Sequence, residues 1–460
     1  MQFKRRTNLK YIITLIILII LSALILISKN SYAQARSVNI DFKYENYRNN
    51  LRQNYLLGIG DKQGYSLAAS ERRTNTGEIK WADATISLGH YLGVLATEYY
   101  LYKQDNRNTE QTIKELYYAI STLYRLDYTA ETFYYDENKV AGKPSLNGFF
   151  VRDDIDIITK TEYQTLNNGS QINVKSVNSD LLDIDTALGY STNNEMSKDQ
   201  VIFLLMGLRL IEKYIPDSTV YMVNNEIKTI NYSNGISDIK TAAEKISTLI
   251  LEYISSNKKI FGWYIKNPTT GKTVKRGYNA YHFQAKAYNS IYKRYNQGES
   301  LYGGLSGLFA SFENGILKLG FNTIVKMGQG HMVLTMAAIS NQFGSKTQKI
   351  IMKYSFKDYK SKANYEWEAL LYNVLYPSNN EELNFKKEWF DTFLKSAPMN
   401  GPYNYKDTTN MSYDWSASRR TTQPESRGNE YNGYKANFNG LDYMLIYNLY
   451  KIYYSPKLPK

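Results

Sequence analysis

The chain has 460 residues, 43% of them apolar and 22% charged, which is ample for a folded core and excludes disorder or collagen-like repetition. It contains no cysteine, which removes disulfides, thiolate metal sites and cysteine nucleophiles. The formal charge is +13, but residues 1–35 carry five basic residues and no acid, leaving a mild excess of +8 that can favour an anionic polymer or simply give a basic surface. Beyond the N-terminus no Lys/Arg run is dense enough for a nucleic-acid arm.

The chain opens with basic residues at 4–10, an uncharged stretch from Tyr11 to Ser28, and then Ala33-x-Ala35. This order predicts a signal peptide over 1–35, cleaved after Ala35, with a single domain over 36–460. The expected location is exported: secreted, periplasmic or at the cell surface. The uncharged stretch is nearly long enough to span a bilayer, so contact with a membrane is expected only through this segment, if it is not cleaved.

Apolar residues at helical spacing predict helices over 38–57, 86–104, 113–124, 201–211 and 239–253. Further periodic segments follow at 279–296, 301–317, 327–342, 347–355, 361–376, 383–396 and 437–452. Strand signals are few, and the best is a small hairpin over Phe261–Tyr278 that turns at Asn267-Pro-Thr-Thr-Gly271. Twelve helical segments form six antiparallel hairpins. The long connections 58–85, 127–196, 257–278 and 397–436 all run from an odd to an even helix, so alternation gathers them on one face. Long loops in a compact domain usually carry a binding surface.

Candidate chemistry collects in those connections. Trp81, Trp263 and Trp415 lie in them, and Tyr281, His282 and His331 stand near helix starts on the same face. The 127–196 connection carries Arg152-Asp153-Asp154 and ends with Asn194-Glu195, while 397–436 carries Arg419. Carboxylates beside indoles, arginines and asparagines suit a sugar, because aromatic faces stack on its C–H surface and polar groups read its hydroxyls. Each signal also has a plain structural reading. Ser197-Lys-Asp-Gln200 is a capping box, so Asp199 can simply complement the helix dipole. Asp153 and Asp154 can form a turn or an ion pair, the tryptophans can cap the core, and His90, deep in a helix, reads as a core histidine. The three histidines lack metal-binding spacing, and phosphate-loop, dinucleotide and nucleophile-elbow motifs are missing, so no metal or cofactor is expected.

Paired helices, loops on one face, an export signal and acids beside aromatics together resemble the (α/α)-toroid glycan-active enzymes, the six-hairpin glycosidases and related polysaccharide lyases. The resemblance implies an all-α fold, an (α/α)6-type toroid with a small β-hairpin, and transfers no catalytic residue. The expected function is an exported glycoside hydrolase acting on a polysaccharide or oligosaccharide, and the mild basic excess suits an anionic one. Catalysis is expected from Asp153 or Asp154 with Glu195, and sugar binding from Trp81, Arg152, Trp263, Tyr281, His282, His331, Trp415 and Arg419. The alternatives are a lyase that cleaves an acidic glycan by β-elimination, and a surface glycan-binding protein without catalysis.

Overall fold

A computed structural model gives the fold. It describes residues 40–56, 66–73, 78–81, 84–155, 175–176, 184–185, 190–191, 194–259, 262–274, 285–297, 299, 330–341, 366–377, 387–399 and 436–454. Contacts divide the chain between Glu45 and Asn46. The described part of the first unit, residues 40–45, is the opening of helix α1 (Ile40–Asn54). The account below concerns residues 46–460.

The described residues are mostly helical. After α1 come α2 (Ala84–Gln104), α3 (Glu110–Tyr128), α4 (Lys198–Tyr214), α5 (Ile239–Ser256) and α6 (Ala285–Tyr295). They are followed by α7 (Gly330–Ile339), α8 (Glu366–Leu375), α9 (Lys387–Ser396) and α10 (Leu441–Tyr454). Each overlaps a segment marked by apolar periodicity. The segments at 301–317 and 347–355 lie outside the described residues. A short 3-10 turn (Ala130–Phe133) extends α3.

Two kinds of helix can be told apart by burial. In α2 every residue from Ala84 to Tyr99 is buried, and no charge appears before Glu98. All of α8 is buried, as are nearly all of α4 and Leu441–Tyr450 of α10. Helices enclosed on every side are core helices. By contrast, α5 buries a stripe through Ile239, Ala242, Ala243, Ile246, Ile250, Tyr253 and Ile254, and α9 buries Phe390, Phe393 and Leu394. Those two helices are amphipathic and pack by one face.

The enclosed helices run parallel. Asn439, just before α10, donates to Ser87 Oγ near the start of α2 (3.2 Å), and Asn448 donates to the Val94 carbonyl further along (3.1 Å). Gly89 faces Phe203 and Leu204, and Gly93 faces Leu210, which sets α4 parallel to α2. The C-terminal ends of α4, α7 and α8 also meet. Tyr214 donates to the Val374 carbonyl at 3.1 Å and Tyr376 to the Ile339 carbonyl at 2.7 Å. Helix α3 is antiparallel to α2, since Thr112 bonds Glu98 (2.8 Å) and Glu115 bonds Tyr91 (2.5 Å). Loops entering α2, α4 and α10 therefore reach the same side, and α3 ends there.

Helix α6 is not among the enclosed helices. This helix packs on α5 and α7, while α4 meets α7 directly. Its sequence, AKAYNSIYKRY, explains this, because so polar a segment cannot be enclosed on all sides.

Strands are short. β1 (Glu71–Arg73) pairs antiparallel with β2 (Glu78–Lys80) and with β10 (Ala436–Phe438), and β3 (Lys175–Ser176) adds parallel to β2. Two-stranded pairs form between β4 (Ile184–Asp185) and β5 (Tyr190–Ser191), β6 (Met222–Val223) and β7 (Glu226–Ile227), and β8 (Lys258–Lys259) and β9 (Gly262–Trp263). The turn at 267–271 is present. Lys266 bridges Thr273, and Gly271 takes the left-handed φ of +65° that the turn requires.

Candidate functional site

The 127–196 connection is pinned to itself at its two flanks. Val151 bridges Glu195, and Arg152 N donates to the Asn194 carbonyl at 3.0 Å. The Arg152 guanidinium donates to the Glu195 carbonyl at 2.8 Å. Three of the expected site residues, Arg152, Asp153 and Glu195, are thereby brought together at the entrance to α4. Their surroundings differ. Asp153 is fully buried and accepts from Ile155 N at 3.2 Å, whereas Glu195 is half-buried. Asp154 is engaged by α3, and its Oδ2 receives Arg125 Nε at 2.7 Å with both side chains buried.

The capping box expected at 197–200 is present, with Ser197 N donating to Gln200 Oε1 at 2.9 Å. Asp199 accepts from the Ser197 hydroxyl and from Gln200 N, which is a helix-end role. Lys198 is buried beside Trp263. Its ammonium donates to the Trp263 carbonyl at 2.6 Å and lies 5.1 Å from the indole ring, and burial lowers it to about 8.

The described tryptophans of the connections are core residues. Trp81 is fully buried, and Trp263 is held edge-on between Tyr253 and Tyr288. Neither offers an indole face at the surface where a sugar ring could stack. Apolar area decides this, since a large aromatic beneath a polar loop gains more from burial than from solvent contact. His90 is likewise buried, with Nδ1 at 2.9 Å from the Ile86 carbonyl and its ring stacked on Phe203. Burial lowers it to about 4, so it is neutral. Tyr281, His282, Trp415 and Arg419 lie outside the described residues. His331 lies in the first turn of α7, with its side chain also outside the description.

Four acids that periodicity passes over stand on the same side. Asp127, in the last turn of α3, accepts from the backbone N–H groups of Asn147 (3.0 Å) and Gly148 (2.9 Å). Burial nevertheless raises it to about 8. Glu131 accepts from Asn147 Nδ2 at 2.6 Å through Oε1, while its buried Oε2 has no partner, and burial raises it to about 7. Glu131 lines an open pocket of about 390 Å³ with Asp136, Lys143, Ser145, Asn147 and Thr269. A signal for the pair exists in the sequence. Acids at the C-terminal end of a helix oppose its dipole and need another reason to be there.

The other two acids sit in the first turns of enclosed helices. Glu368 of α8 is buried with Oε2 unpaired, and burial raises it to about 8. Asp442 of α10 is raised by burial to about 6, and shares a narrow pocket with Ser70, Ser87, His90 and Asn439.

The groups also communicate electrically. Tyr253, buried on α5, is raised first by burial and further by the charges of Glu131 and Glu195. The arrangement supplies a half-exposed carboxylate, buried carboxyl groups that hold their protons to near-neutral pH, and hydrogen-bonding side chains around an opening. Such a set can give and take protons at a polar substrate. Among the described residues no group of three or more His, Asp or Glu side chains is arranged for a metal ion. Comparison with family models, curated proteins and solved structures finds no match for this chain, so the geometry of its own residues carries the functional reading.

Proposed function

We propose that the chain is an exported glycoside hydrolase, built on an (α/α)-type toroid and acting on a polysaccharide or oligosaccharide. Helix contacts support the toroid. They run from α2 to α4, α7, α8 and α10 and back to α2, while α3, α5 and α9 pack on them from outside. Parallel inner helices present their N-termini on one side, where their partial positive charge suits electron-rich ligands.

The observation that carries the catalytic reading is the pinning of residues 151–153 to 194–195. It brings the backbone at Asp153, whose carboxyl is buried, close to that of Glu195, whose side chain is half-exposed, at that side of the helices. Glycosidic cleavage requires one carboxyl that donates a proton to the leaving oxygen and one carboxylate that activates water or attacks carbon. Unequal surroundings suit those two roles, with Asp153 as donor and Glu195 as the carboxylate. Asp154 is assigned no catalytic role, because Arg125 holds it.

Incubation of the full chain with a panel of polysaccharides, reading both reducing ends and ultraviolet absorbance, tests the proposal. New reducing ends without an ultraviolet-absorbing product are expected. Asp153→Asn and Glu195→Gln should each lower kcat by about 100-fold or more. Parent-like hydrolysis by both variants overturns the assignment. An unsaturated product would establish a lyase, and binding without any product would establish a glycan-binding protein.

A further inference from the structure

The pocket beside Glu131 has features of a binding site that general acid–base chemistry does not explain. Its Oε2 belongs to a side chain only 4% exposed and has no hydrogen-bond partner, although unpaired buried carboxylate oxygens are costly. The side chain that reaches Glu131 is already engaged. Asn147 donates its amide to Oε1 and its backbone N–H to Asp127, and its Oδ1 accepts from Phe149 N (2.9 Å). The facing wall is fixed as well. Asn267 accepts from both Thr269 N and Thr270 N at 3.0 Å, and Thr269 rests against the Glu131 carbonyl and Gly142.

Charge selects the ligand. The acid on the last turn of α3 is Asp127, whose two oxygens are taken by backbone donors and which is raised by burial and further by the nearby charge of Glu131. Asp136 also lines the pocket, Tyr253 of α5 is raised in part by the Glu131 charge, and Lys143 is the cation of the lining, exposed and in no ion pair among the described residues. Two carboxyls four residues apart repel each other when ionised. A neutral hydroxyl would occupy one oxygen and leave that repulsion in place, and an anion would add to it. A cation with several donors satisfies the oxygen and offsets both charges. The excess positive charge of the whole chain does not set the field inside this pocket.

We propose that this pocket binds the protonated amine of an amino-sugar residue, so that the glycan substrate carries free amino groups. The inference rests on the glycan reading above and names the substrate class for that site.

The experiment is calorimetric titration of the full chain with a glucosamine tetramer, an N-acetylglucosamine tetramer and cadaverine, an amine without a sugar ring. The glucosamine tetramer should bind roughly tenfold more tightly than its acetylated counterpart near pH 7. Its affinity should rise as Glu131 ionises, toward about pH 7, and fall again when the ligand amine loses its proton. Glu131→Gln, which keeps the acceptor for Asn147, should remove that preference and the rising limb. Lys143→Ala, at an exposed position, should tighten binding of the glucosamine tetramer. Equal affinity for the two tetramers, or affinity that only falls with rising pH, overturns the proposal. So does cadaverine binding as tightly as the glucosamine tetramer, because the sugar ring would then play no part. Binding reads this inference and product formation reads the hydrolase proposal, so either can fail without the other.

Discussion

Arg125 Nε lies 2.7 Å from Asp154 Oδ2, and this buried pair fastens the last turn of α3 to the segment that leads toward Glu195. Two desolvated charges add little net stability together, but removing one strands the other. Asp154→Asn should therefore destabilise the protein by about 3–5 kcal/mol. Glu195→Gln, at a half-exposed side chain, should stay within about 0.5 kcal/mol of the parent. Urea unfolding of the two variants checks the contrast. Equal stabilities would show that the ion pair does not hold this segment.

The same reasoning applies to Trp263. As a buried aromatic between Tyr253 and Tyr288, it should cost about 3–5 kcal/mol when cut to alanine. Trp263→Phe should recover much of that loss and leave glycan affinity close to the parent's. A large loss of affinity in a stable Trp263→Phe protein would return the indole to the binding surface.

Opposed shifts shape the dependence of stability on pH. Burial alone would raise Glu115, but Arg48 and Arg52, with the Tyr91 hydroxyl, hold it at about 2. A depressed acid contributes stability above its unfolded value near 4.5, and that contribution is lost as pH falls toward 2. Glu368 behaves in the opposite sense. Its folded value, about 8, lies above the unfolded one, so its contribution is complete below about pH 4.5 and disappears as pH rises through 8. Glu368→Gln should thus gain on the parent by roughly 3 kcal/mol between about pH 5 and pH 8. Chemical denaturation at several pH values reads this directly, and a constant difference across that range would contradict it.

Helices α2 and α4 meet at glycines. A β-carbon on Gly89 would overlap the Phe203 carbonyl, and one on Gly207 would overlap the Gly89 carbonyl. Backbone cannot yield as a side-chain tip can. Gly89→Ala should lower stability by about 3 kcal/mol, at the upper end for overpacking, whereas Ala96→Gly should cost about 1.5 kcal/mol from helix propensity together with the loss of a buried methyl. Thermal melts of the two variants test whether close approach or helix preference dominates here.

The sequence showed the helices well because most are long and their apolar spacing is regular. It also showed the capping box at Ser197, the core role of His90 and the turn at 267–271, since local chemistry decides each. Other features escaped it for a physical reason. The pairing of β1 with β10 joins Glu71 to Phe438 through strands of three residues, and so short a charged strand has no periodic signal. Whether Trp81 or Trp263 faces a sugar or the core depends on what packs over it, which composition cannot say. Asp127 and Glu131 carry only the weak signal of acids at a helix C-terminus, and their burial depends on Asn147 and Gly148, which come from the chain beyond.

The pairing of β1 with β10 and the bonds from Asn439 and Asn448 to α2 have a consequence for how the chain is made. Contacts to α2 span more than 350 residues, for example from Ser87 to Asn439, a separation of 352. During synthesis the apolar flank of α2 stays open until residues 436–454 have emerged, so the central helix cannot be sealed while the nascent chain is short. Such late closure makes assembly slow and leaves incomplete chains prone to aggregate. Chains interrupted before residue 436 should be recovered as chaperone-bound or insoluble material rather than as a smaller folded domain.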